Sequence, residues 1–67
     1  MTNTELLKEA ITRSGLRIYF IAEKLGISYQ ALKLKIDNES EFRATEIAKL
    51  KDLLNLSKDE CFAIFFD

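Results

Sequence analysis

The sequence predicts an all-α domain of five short helices, and three observations carry that expectation. Among its 67 residues there is no proline to interrupt a helix. The two glycines, Gly15 and Gly26, each follow a segment whose apolar residues recur at helical spacing, where a left-handed C-terminal residue is wanted. Polar or capping residues separate the remaining apolar segments.

Each element follows from local chemistry. Thr2-Asn3-Thr4-Glu5 has the spacing of a capping box with Thr2 as the cap, and Leu6, Leu7, Ala10 and Ile11 then share one helical face. Helix 1 is therefore expected from Asn3 to Ser14, closed by Gly15. Helix 2 takes in Ile18, Ile21, Ala22 and Leu25 and stops at Gly26. Ser28 can cap helix 3, with Ala31 or Leu32 and Ile36 inward. Asp37 to Glu41 reads as a polar loop, and the apolar Phe42 beyond it is expected to plug the core. Helix 4 is expected from Thr45, with Ile47, Leu50, Leu53 and Leu54 on one face. Ser57-Lys58-Asp59-Glu60 is a second capping box, and Leu56 is spaced to staple against Cys61. Helix 5 then runs from Lys58 to Phe65. Residues 1–67 read as one domain without repeats or linkers.

Composition narrows the function. An apolar share of 48% with 31% charged residues is a globular balance. A lone Cys61 forms no intrachain disulfide. With no histidine, the usual structural zinc sites, a Ser-His-Asp triad and a Cys-His pair are all excluded. No enzyme, metal, cofactor or small-molecule substrate is expected. No apolar run reaches the roughly 18 residues of a membrane span, and Met1 to Glu5 lacks a basic signal-peptide start. A cytoplasmic location is expected.

The formal net charge of −1 argues, taken whole, against nucleic acid. Its distribution argues the other way. From Arg13 to Lys35, five bases face the single acid Glu23, for +4; residues 36–67 carry −4 and residues 1–12 carry −1. The positive field is concentrated on helices 2 and 3.

Those two helices meet the demands of a helix-turn-helix one by one. Ala22 is small where the helices cross, and Gly26 suits a positive φ at the turn. Ile27 and Leu32 fill the wedge, and Ser28 caps the second helix.

Ile21-Ala22-Glu23-Lys24-Leu25-Gly26-Ile27-Ser28 resembles the helix-turn-helix of the phage Cro and repressor superfamily, the Xre-like proteins. The likeness continues through Lys35-Ile36-Asp37-Asn38 and Phe42…Thr45-Glu46-Ile47. The closing Asp59-Glu60…Ile64-Phe65-Phe66 is similar to small prophage Cro or repressor proteins. It implies a five-helix lambda-repressor-like DNA-binding domain with the motif formed by helices 2 and 3. Two positions depart from the pattern: Ile18 stands where a phosphate-holding glutamine is frequent, and Asn38-Glu39 where many relatives have Asn-Gly and a basic residue.

In that geometry helix 3 enters the major groove of double-stranded DNA and its leading residues meet base edges. Tyr29, Gln30, Lys33 and Leu34 are the candidates for base contact. Gln30 carries the amide that pairs bidentately with adenine, and Lys33 reaches a guanine edge or a phosphate. Leu34 either meets a thymine methyl or packs under Phe42. Arg17, Tyr19, Ser28, Lys35 and Arg43 are the candidates for phosphate contact, with Arg13 at the margin of the set.

The C-terminal run Cys61-Phe62-Ala63-Ile64-Phe65-Phe66 is apolar nearly all round. Either its phenylalanines fold back on helices 1 and 4, or Phe62, Phe65 and Phe66 form an isologous dimer interface. Cys61 reads as a small core hydrophobe. The leading expectation is thus a Cro-like or repressor-like transcriptional regulator that occludes operator DNA as a homodimer in the nucleoid. The alternative is a protein-interaction module, an anti-repressor or a subunit of a regulatory complex, using the phenylalanine-rich helix.

Overall fold

A computed structural model of the chain describes residues 1–66. Among them are five α-helices and no strand: α1 (Thr4–Ser14), α2 (Ile18–Leu25), α3 (Tyr29–Ile36), α4 (Ala44–Leu53) and α5 (Lys58–Phe65). The α2 helix packs against both α3 and α4, while α1 packs on α5 and α3. One core joins all five. Leu7, Ile21, Leu32, Ile36 and Leu50 are its fully buried side chains, and Phe42 packs against it from the α3–α4 loop as expected.

Three of the connections end their helices in the same way, with the last carbonyls accepting from two residues beyond the helix. After α2, Ile27 N–H donates to the Ala22 carbonyl at 3.0 Å and Gly26 N–H to that of Glu23 at 3.1 Å. After α3, Glu39 N–H reaches the Leu34 carbonyl at 2.9 Å, and after α4 Leu56 N–H reaches that of Lys51 at 2.9 Å. The left-handed residue is Gly26 in the first turn but Asn38 (φ 64°) and Asn55 (φ 54°) in the others. Asparagine adopts this conformation more readily than other non-glycine residues.

The start of α1 corrects one expectation. Asn3, not Thr2, is the cap, its Oδ1 accepting from Leu6 N–H at 3.1 Å. Asparagine caps at least as well as threonine, and the one-residue shift frees the flanking groups to hold neighbouring helix ends. Thr2 N–H donates to Asn38 Oδ1 at 3.3 Å, Thr4 Oγ1 to the Ile36 carbonyl at 2.8 Å, and Asn3 N–H to the Ile64 carbonyl at 2.6 Å.

At α5 the second capping box forms as expected: Ser57 Oγ accepts from Glu60 N–H at 3.1 Å, and Glu60 Oε1 from Ser57 N–H at 3.0 Å. Leu56 and Cys61 are both buried. Phe65 is a second correction. It belongs to the core, 5% exposed, with its ring edge-on to Phe42 at a centroid distance of 5.4 Å. Helical spacing turns Cys61, Ile64 and Phe65 inward on one stripe and leaves Phe62 and Phe66 outward, 61% and 59% exposed. Those two rings lean on each other at 6.1 Å.

Space is not the constraint at Gly26. A Cβ there meets nothing within 4 Å, yet φ is +75°. Gly26→Ala is therefore expected to lower unfolding free energy by about 1–2 kcal/mol, the conformational penalty alone. Chemical denaturation would show it as a lower midpoint with an unchanged m-value.

Candidate nucleic-acid interface

The turn between α2 and α3 is short because Gly26 reverses the chain and Ile27, half-buried, anchors it to the core. Ser28 Oγ then accepts from Ala31 N–H at 3.0 Å and starts α3. Around this turn Ala22 and Leu32 are buried, Ile27 is half-buried and Gly26 is left-handed.

One side of α3 is committed to the core through Leu32, Lys35 and Ile36. The other presents Tyr29, Gln30 and Leu34 to solvent, with Lys33 half-exposed. These are two pairs four residues apart, so they form one patch. Leu34 is 47% exposed, and Phe42 packs on Phe65 instead. That removes the reading in which Leu34 lies under Phe42. Lys33 lines a shallow hollow with Lys8, Ile11 and Thr12 of α1 and Ile18, the first residue of α2.

Helix ends add to this charge. The first turns of α1, α4 and α5 each hold an acid, whereas those of α2 and α3 hold none. The α2 helix also has no side chain accepting its first amides, since its cap position is Arg17. Its amide dipoles therefore remain available to an external anion. Arg17 and Tyr19 are exposed at this end, as is Arg43 at the start of α4. Ser28 is exposed too, but its hydroxyl is engaged as the cap.

Lys35 is a correction. Its Nζ lies 2.6 Å from Glu46 Oε1, and the two side chains are 11% and 6% exposed. An ammonium committed to a buried carboxylate is not available to a phosphate. Arg13 is paired at the surface, 2.7 Å from Glu60 Oε2 in the seam between α1 and α5, with both side chains still largely exposed. The positive segment thus thins to Arg17, Lys24 and Lys33, which have no ion-pair partner among the described residues. Lys24 sits over the Phe20 ring at 5.3 Å. Glu39 and Glu41, exposed in the loop after α3, put negative charge beyond its far end.

The Lys35–Glu46 pair went unread in the sequence, though its signal was there. Lys35 falls three residues after Leu32 and next to Ile36, on the inward stripe. Glu46 stands three residues after Arg43, the reach-back position of a capping box, and its Oε1 accepts from Arg43 N–H at 2.8 Å. Burial pushes the Glu46 carboxyl up, but the Arg43 amide, the Lys35 ammonium and both positive charges together outweigh it and hold it below the ordinary range. The Ser57 amide and, after it, Arg13 hold Glu60 low as well.

Comparisons with known protein families, with curated proteins and with solved structures found no match for this chain. Among the described residues no helix is long and apolar enough to cross a membrane, and no cluster of ligating side chains is placed to hold a metal.

A carboxyl whose pKa is depressed by folding adds stability above its unfolded pKa, and that stability is lost as pH falls through the folded value. For Glu46 the loss begins below the ordinary value of 4.5. Glu46→Gln should flatten the decline in melting temperature over that acid range. At pH 7 the same variant should be less stable by about 3 kcal/mol, since Lys35 is left without a counter-charge. Melting curves at several pH values check both.

Proposed function

We propose that this chain is a sequence-specific DNA-binding transcriptional regulator of the Cro or repressor type. In this reading α2 and α3 form a helix-turn-helix, α3 lies in the major groove of double-stranded DNA, and a homodimer occludes the operator, which places the protein at the nucleoid. The observation that carries it is the outward face of α3, with Tyr29, Gln30, Lys33 and Leu34 side by side and no acid among them. Lys33 of that face and Ile18, the first residue of the acid-free first turn of α2, line one hollow. An α-helix with its side chains is about 10–12 Å across, which the major groove admits.

The division of labour follows from residue chemistry. Gln30 reads a base edge, Leu34 and the Tyr29 ring meet thymine methyls, and Lys33 takes a guanine edge or a phosphate. Arg17, Tyr19 and Arg43 hold the backbone. So few phosphate contacts make weak monomer binding, which a two-fold dimer offsets by reading two half-sites. Phe62 and Phe66 supply an exposed apolar surface for such a dimer. The same two rings favour the second reading, a protein-interaction module docking another regulator.

Salt separates the readings. A DNA regulator loses affinity steeply with ionic strength, and an apolar protein interface does not. Gln30→Ala should lower affinity by about 1–3 kcal/mol at one base pair, whereas Arg17→Ala should weaken binding to all sequences and reduce the salt slope by about 1. An unchanged base preference in Gln30→Ala would remove Gln30 from the reading face. Phe62→Glu should abolish cooperative binding to two half-sites and leave half-site affinity as it was, as gel-shift titration on full and half operators would show.

A further inference from the structure

We infer that Lys35 and Glu46 act as positioning residues for base reading, holding the outward face of α3 at one fixed setting relative to Arg43. The inference rests on the DNA-binding reading above. A single carboxylate oxygen, Glu46 Oε1, accepts both from Lys35 Nζ at 2.6 Å and from Arg43 N–H at 2.8 Å. Lys35 lies in the last turn of α3 and Arg43 is the residue from which α4 starts. One atom thus ties the base-reading helix to a backbone-holding residue across the α3–α4 loop.

The case for such a tie comes from how few core side chains α3 has. Its eight residues place only two apolar side chains, Leu32 and Ile36, fully in the core. Apolar contact is non-directional, so two anchors on one stripe leave the helix able to roll. A charge-assisted hydrogen bond is directional and fixes the roll. Bonds from Thr4 Oγ1 to the Ile36 carbonyl and from Thr2 N–H to Asn38 hold the same helix end from the α1 side. The ion pair holds it from the α4 side. Burying two charges is a poor route to stability compared with two apolar residues of similar size, which leaves orientation as the gain.

Positioning and phosphate binding by Lys35 give opposite results. With the wild-type protein as reference, affinities for a selected operator and for random-sequence duplex are measured over a range of salt for Lys35→Met, Lys35→Met/Glu46→Gln and Lys35→Arg. The double variant leaves no uncompensated charge in the core, so it reports on positioning even if the single variant folds poorly. In the methionine variants, operator affinity should fall about tenfold, equivalent to one lost base contact. Random-sequence affinity and the salt slope should stay as in wild type, and Lys35→Arg, which keeps a donor to Glu46, should retain operator preference. A uniform loss on all sequences with a salt slope lower by about 0.9 would make Lys35 a phosphate contact and overturn the inference. Unchanged operator affinity in both methionine variants would overturn it as well. If wild-type protein prefers no DNA sequence, the DNA reading fails separately, and residual dipolar couplings decide the positioning. A turn of α3 relative to α4 in the double variant supports it, and an identical orientation overturns it.

Discussion

Glu46 is a carboxylate withdrawn from water on a domain with little core to spare, and much of the arrangement around α3 depends on how it is accommodated. Removing a carboxylate from solvent is costly unless donors replace the water. Here Lys35 Nζ and Arg43 N–H do so from two different elements. The same contact starts α4, ends the exposure of Lys35 and closes the loop that carries Phe42 onto Phe65. Losing either charged partner would strand the other in the interior, so the pair behaves as one unit. Among the described residues no buried side-chain nitrogen or oxygen is left without a partner.

Core and surface divide cleanly along each helix. With eight to eleven residues per helix, each element has one inward stripe and no room for a second. For α3 that stripe is Leu32, Lys35 and Ile36, which leaves Tyr29, Gln30, Lys33 and Leu34 together outside. For α5 it is Cys61, Ile64 and Phe65, which leaves Phe62 and Phe66 outside. The two outward faces differ in chemistry, one polar with mixed donors and acceptors and the other aromatic. The absence of acids in the first turns of α2 and α3 alone extends the contrast to the helix dipoles.

The helices were legible in the sequence because their ends are chemically explicit. Gly26 and Ser28 bracket the α2–α3 turn, and Ser57 with Glu60 begins α5. Asn38 and Asn55 were harder to read, since asparagine is compatible with loop, cap and left-handed turn alike. The cap of α1 fell on Asn3 because Thr2 and Asn3 are both good caps, and tertiary bonds to Asn38 and Ile64 decided between them. The outward residues of α3 follow from helical periodicity. The inward setting of Lys35 follows from it too, but a lysine there is read as basic surface until its partner eleven positions on is known. The unpaired positive charge between Arg13 and Lys35 shrank for the same reason, once both residues proved to be paired with acids from α5 and α4.

The central claim, that the outward face of α3 reads DNA sequence, is tested most directly by selecting bound duplexes from a random pool with the purified chain at moderate salt. The expected result is enrichment of a short half-site, duplicated with two-fold symmetry about one helical turn apart, and elution at raised ionic strength. Recovery of a pool no different from the input, with any retained DNA insensitive to salt, would contradict it.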